Sequence, residues 1–168
     1  MTDPHFVVRP ERAEDLTALK NLAARAFGPG RFVRTAHRVR ESAPEVSFLS
    51  LTAWVEDELA GSIRFTALTI GARLGALQLG PLMVDARWTG QGCGKTLMTH
   101  GLELARNAGY ELVLLVGDLP YYERVGFRLL PPGQITMPGP VDFARLLAAE
   151  LNPGALNEFN GLVRGIAV

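Results

Sequence analysis

The chain has 168 residues, 48% hydrophobic and 20% charged, a balance that excludes a disordered chain and matches the size of one globular domain. Lys and Arg (17) equal Asp and Glu (17), so nothing in the overall charge argues for nucleic acid or a membrane surface as partner. The lone Cys93 excludes an intrachain disulfide and fits a reducing compartment, and neither the opening MTDPHFVVRPER nor any aliphatic run resembles a secretory leader or a bilayer span, so the expectation is cytoplasmic.

No repeat, low-complexity segment or linker divides the sequence, which predicts a single domain over 1–168. His5 to Arg9 reads as a short strand closed by Pro10. Apolar residues at 16, 19, 22, 23 and 26 predict a helix over Ala13 to Phe27, stopped by Gly28-Pro29-Gly30. A second helix is expected over Arg31 to Ser42. Ser47 to Val55 and Gly61 to Ile70 are rich in β-formers and flank Glu56-Asp57-Glu58, the pattern of a hairpin. Leu74 to Val84 is a further strand. Past the glycines at 90, 92 and 94, Leu97, Gly101, Leu104, Ala105 and Ala108 share one helical face, and Gly109 stands where a left-handed helix end favours glycine. Tyr110 to Val116 contains five consecutive aliphatic residues, suited to a parallel strand covered on both faces, although a buried helical segment has the same look. Antiparallel strands followed by strand, glycine loop, helix and strand predict an α+β fold with a mixed sheet.

WTGQGCGKTLM (88–98) invites comparison with nucleotide-binding loops. A triphosphate loop needs glycine five positions before Gly94, where Thr89 stands. The dinucleotide pattern fails as well, since its last glycine would fall on Lys95 or Leu97. What remains is Gly90-Gln91-Gly92-Cys93-Gly94 leading into a helix, a cluster of main-chain N–H groups at a positive dipole end that favours a pyrophosphate without a metal. A glycine-rich turn that binds nothing is the plain alternative.

At this point the residues resemble a family. LGPLMVDARWTGQGCGKTLM (79–98) is similar to the acetyl-CoA-binding motif of the GCN5-related N-acetyltransferases (GNAT), Gln/Arg-x-x-Gly-x-Gly/Ala, with Gly92 and Gly94 on its last two positions and Thr89 replacing its first residue. YYERVGF (121–127) resembles the family's Tyr-Glu-x-x-Gly-Phe segment. Val8-Arg9-Pro10, WVEDELAGSIRF and ELNPGALNEFNG look like a bacterial branch of predicted N-acetyltransferases.

The resemblance implies the GNAT fold, a mostly antiparallel mixed sheet whose fourth and fifth strands, here Leu74–Val84 and Tyr110–Val116, splay to admit acetyl-CoA, with helices on its flanks. It implies an acetyl-CoA-dependent N-acetyltransferase that transfers directly to a small-molecule or peptide amine in a ternary complex. A catalytically silent acetyl-CoA-binding module is the alternative. Leu82, Met83 and Val84 are implied to meet the pantetheine arm, with the Met83 N–H polarising the acetyl carbonyl. Gln91, Gly92, Cys93, Gly94, Lys95 and Thr96 are implied to cradle the pyrophosphate, and Tyr122 to act on the departing thiolate.

No base is legible. Leu74 to Val84 contains no carboxylate, and Asp85 and Asp118 read as turn or cap residues. Cys93 reads as a small packed side chain. His5, His37 and His100 have no metal-ligand spacing, so no metal is expected. Whether the protein is a homodimer stays open. Arg31, Arg34 and Arg38, with His37 and Arg40 beside them, would share a helical face. A solvated face is the ordinary reading, and an anionic acceptor drawn in by arginines is the functional one.

Overall fold

The structure is a computed structural model that describes residues 4–27 and 49–166. The expected second helix and the arginine stripe at 31, 34 and 38 lie outside the described residues.

β1 (Val7–Pro10) is an edge strand paired to β2 (Leu51–Val55), and β2 forms the expected hairpin with β3 (Glu58–Ile70). Val55 pairs with Glu58, so the turn is only Glu56-Asp57, and Glu56 takes a φ of 54° to close it. β4 (Arg73–Val84) continues the antiparallel series. α2 (Cys93–Asn107) then crosses to β5 (Leu112–Val116), which pairs parallel to β4. The order is β1-β2-β3-β4-β5-β8-β6, with β8 (Leu146–Glu150) antiparallel to β5 and β6 (Arg128–Leu129) on β8. β9 (Gly161–Gly165) pairs with β3 and carries the short β7 (Ile135–Thr136).

α1 spans Leu16–Phe27 and packs on β3 and β4, with Leu22 buried. The helix expected from Ala13 begins instead as a 3₁₀ turn, Ala13–Asp15. The Asp15 carboxylate explains the break in regularity: it accepts the Arg12 N–H at 2.8 Å and pairs with Arg9 at 2.7 Å, tying the turn to β1.

The five-residue aliphatic run is β5. Val113 and Leu115 face the cluster under α2, while Leu112 and Leu114 face a second apolar cluster on the other side. Burial on both faces is why it lacks alternation.

On α2 the buried face differs from the expected one. Leu97, Met98, Gly101, Leu102 and Ala105 are buried, whereas Leu104 is 41% exposed and Ala108 is exposed. The contact with β3 sets the phase. A Cβ on Gly101 would stand 2.5 Å from the Phe65 ring, so the helix lies close against that ring and Leu104 turns to solvent. Gly109 has the left-handed φ (93°) expected of it.

Candidate active site

The glycine loop is held from behind. Asp85 caps the 3₁₀ turn Ala86–Trp88, accepting the Arg87 N–H at 3.0 Å and Arg87 Nε at 3.2 Å, with Arg25 at 3.3 Å. The Gln91 N–H reaches the Trp88 carbonyl at 3.4 Å, and the Gln91 side chain donates to the Arg87 carbonyl. Gly92 is left-handed (φ 90°) and caps α2 with no side chain. The first helical bond runs from the Thr96 N–H to the Gly92 carbonyl at 3.0 Å. Among the described residues, the N–H groups of Gly92, Cys93, Gly94 and Lys95 meet no acceptor. These are the unsatisfied donors that every helix start presents, here grouped where Gly90 and Gly92 leave open space around their Cα atoms. Four convergent donors at a positive dipole end fit a pyrophosphate. Of the six residues of the expected cradle, Gln91 and Thr96 have their amides already engaged.

β4 parts from β5 beside this loop. The two strands pair only from Ala76–Leu112 to Gln78–Leu114, and β4 then runs on to Val84 paired with β3 but open on its β5 side. The Gly80-Pro81 pair supplies the expected bulge. Ile63 faces Leu82 and Phe65 faces Leu79, so two β4 residues oppose the single Arg64. The Asp85 N–H donates to the Ala60 carbonyl at 2.8 Å, and Gly61 is paired with Val84. Antiparallel alternation then turns the main-chain groups of Met83 toward Ser62 and leaves those of Leu82 and Val84 facing the gap. The Met83 N–H expected in the gap is thus committed to β3. α2 begins next to this strand: Leu82 Cδ2 is 3.7 Å from where a Gly94 Cβ would stand, and a Cβ on Gly61 would lie 2.8 Å from Cys93 Sγ and 2.7 Å from the Met83 carbonyl.

Tyr121 and Tyr122 belong to α3 (Leu119–Tyr122), the short helix after β5. The Tyr122 ring lies against Gly117, where a Cβ would meet its Cε2, and stands edge-on to Phe127 (5.9 Å) and Tyr121 (4.9 Å). Burial, reinforced by Tyr121 and Asp118, pushes the Tyr122 phenol up to about 12. Tyr121 is 37% exposed and carries Arg124 over its ring at 4.9 Å. Its hydroxyl lies against Gly94, at the start of α2, a placement with no sequence signal.

The candidate bases are occupied. Asp85 is buried, and the Arg87 N–H, then the Arg87 guanidinium and Arg25, hold it below the usual carboxylate range. Asp118 is exposed and paired with Arg145 at 3.2 Å. Cys93 is 1% exposed, and burial pushes its thiol up to about 11, which fits a packed side chain and not a nucleophile. On the sheet face opposite α2, Ser62, Arg64 and Thr66 alternate with the core residues Ile63, Phe65 and Ala67. Sequence reading passed over this polar face, although the alternation in SIRFTA was its signal.

Comparison with known proteins agrees with this geometry. Residues 16–127 match the Acetyltransferase (GNAT) family. The uncharacterized N-acetyltransferase YhbS of Escherichia coli K12 is 28% identical over 162 residues, covering 94% of this chain and 95% of that protein. The uncharacterized N-acetyltransferase YjhQ of Escherichia coli K12 is 30% identical over 130 residues, covering 76% of this chain and 72% of that protein. The crystal structure of E. coli YhbS in complex with CoA superposes with a TM-score of 0.82, covering 98% of this chain and 93% of that one. A GNAT family acetyltransferase from Brucella melitensis in complex with acetyl-CoA, 27% identical, superposes at 0.68, covering 89% and 90%. With the family match, the glycine loop and the parted strands in agreement, the chain belongs to the acetyltransferase (GNAT) family and has its α+β fold.

Proposed function

We propose that the protein is an acetyl-CoA-dependent N-acetyltransferase that moves an acetyl group to a primary amine of a small molecule or peptide, directly within a ternary complex. The observation that carries this reading is the set of four unpartnered N–H groups, Gly92 to Lys95, beside the gap that β4 leaves on parting from β5. Bound acetyl-CoA would supply an acetyl group already activated as a thioester. The N–H groups of Gly92, Cys93, Gly94 and Lys95 take the pyrophosphate, with Gln91 and Thr96 fixing the loop at either end. Leu82 and Val84 offer main-chain groups to the pantetheine arm as to an added strand. The Leu82 N–H would donate to the acetyl carbonyl, with Met83 anchoring that segment to β3. Tyr122 would serve the departing thiolate, whose acid has a pKa of about 8.5. A phenol raised to about 12 donates a hydrogen bond there and keeps its proton.

The amine must arrive neutral. An alkylammonium with a pKa near 10.4 is neutral in about one molecule in 2,500 at pH 7, a cost of roughly 4.6 kcal/mol. β4 carries no carboxylate and Asp85 is engaged as a cap, so the proton leaves to water before attack. The even charge balance and the buried lone thiol support a cytoplasmic enzyme that acts on amines other than nucleic acid. The same missing base favours a second reading, a silent acetyl-CoA-binding module.

The test is melting and turnover together. Acetyl-CoA at a hundredfold its Kd should add about 2.7 kcal/mol of stability, and thiol release should follow on adding members of an amine panel. Binding without thiol release on any amine would favour the module. A larger, Mg-dependent shift with ATP would overturn both readings.

A further inference from the structure

The sheet face opposite α2 changes character halfway along. Toward one end, Leu68, Ile70, Ala76, Leu112 and Leu114 pack into an apolar cluster. By strand alternation the same face continues through Thr66 to Arg64, with Ser50, the residue before β2, beside Arg64, because Leu51 pairs with Ile63. The Ser50 Oγ, the Thr66 Oγ1 and the Nε and Nη2 of Arg64 are all buried and have no hydrogen-bond partner among the described residues. Arg64 as a residue is half-buried, but these two N–H groups are shut off from water, and a charged donor left there without an acceptor is unfavourable. Something must complete it.

The chemistry of that group follows from which nitrogens are open. Nε and Nη2 form one edge of the guanidinium, with N–H bonds running parallel at the spacing of the two oxygens of a carboxylate. One cation also balances one negative charge. A phosphate brings about −1.5 to −2 and would leave the excess buried.

The position ties this edge to the reaction. Arg64 is the single β3 residue facing the Gly80-Pro81 bulge, about one strand spacing (~4.8 Å) from the main chain that leads into Leu82. We infer that the acceptor is an amine that also bears a carboxylate, and that Arg64, flanked by the Ser50 and Thr66 hydroxyls, binds that carboxylate and sets the amine beside the acetyl group. The inference rests on the transferase reading for the amine and on Arg64 alone for the carboxylate. It assigns the anionic acceptor to the buried edge of a half-buried arginine on β3, independently of the stripe at 31, 34 and 38.

The test compares amino acids with their carboxamides and their decarboxylated amines, in the wild type, Arg64→Lys and Arg64→Met. The wild type should prefer the carboxylate compound by about 10- to 100-fold in kcat/KM over its amide, the scale of a charge-assisted bidentate contact. That ratio should fall to near one in Arg64→Met and only partly recover in Arg64→Lys, which lacks the paired N–H edge. The acetyl-CoA melting shift of each variant reports whether it is folded. Calorimetric binding of the same amines needs no turnover. Carboxylate binding that is lost in Arg64→Met, with no acetyl transfer to any amine, overturns the transferase reading and the acceptor role with it, and leaves only the carboxylate site at Arg64 standing. Transfer with no carboxylate preference in the wild type, or a preference unchanged in both variants, overturns this one alone.

Discussion

Tyr122 and Tyr121 are neighbours in sequence with opposite settings. The first is packed between Gly117 and Phe127, the second holds its hydroxyl against Gly94 under Arg124. Tyr122→Phe is expected to lower kcat by roughly 10²–10³-fold, the scale of one lost donor to developing charge, with little change in acetyl-CoA affinity. Tyr121→Phe should cost less, and an equal loss in the two variants would count against the assignment. The phenol also makes a pH prediction. Its folded pKa of about 12 lies above the ordinary value of 10.0, so its contribution to stability is complete below about pH 10 and is lost as pH rises toward 12. Urea titrations between pH 9 and 11.5 should show a shallower fall in Tyr122→Phe than in the wild type. At the other limb, kcat/KM should climb with pH toward the acceptor's own ammonium pKa, because no free carboxylate lies on β4. A plateau already reached near pH 6 would reveal a base.

At the scale of elements, α2 meets the sheet along one seam and the gap between β4 and β5 at one end. Gly101→Ala would press a methyl into the buried Phe65 ring, 2.5 Å from its nearest carbon. Overpacking of this kind costs about 1–3 kcal/mol, against about 1 kcal/mol gained from better helix propensity, so a net loss is expected in chemical denaturation. Gly92→Glu acts at the other end. It puts a side chain on a left-handed residue (φ 90°) and a carboxylate beside the four open N–H groups, and the acetyl-CoA melting shift should disappear. Survival of the shift in a folded Gly92→Glu protein would move the pyrophosphate elsewhere. The loop was legible in sequence because glycine spacing is local. The engagement of Gln91 was not, since it depends on the 3₁₀ turn that brings the Trp88 carbonyl under it.

Across the whole molecule, the two apolar clusters share strands. β4 gives Leu77 to one and Ala76 to the other, β5 gives Val113 and Leu112, and β8 gives Leu147 and Ala148. Neither side can melt and leave the other intact, so one cooperative transition is expected, with near-UV and far-UV circular dichroism coincident through it. Two separated transitions would divide the single domain proposed for 1–168.

Local pattern was enough for the described elements from β1 to β5, the hairpin around Glu56-Asp57-Glu58, the two-sided burial of Leu112 to Val116 and the glycine-led start of α2, because periodicity and backbone permissiveness act over a few neighbouring residues, whereas β6 to β9 carried no such signal. Other features were set only by partners distant in sequence. Which β4 residues face the gap depends on the phase of pairing with β3, and that phase turns the main-chain groups of Leu82 and Val84 to it and those of Met83 to Ser62. Leu104 is exposed because Phe65 fixes the rotation of α2. Arg64 reads in sequence as one more charged residue in a strand, and its buried, unpaired edge exists only once β2 and β4 close on either side of it. A residue's type is written in the chain, whereas the partners within its reach are decided by the fold.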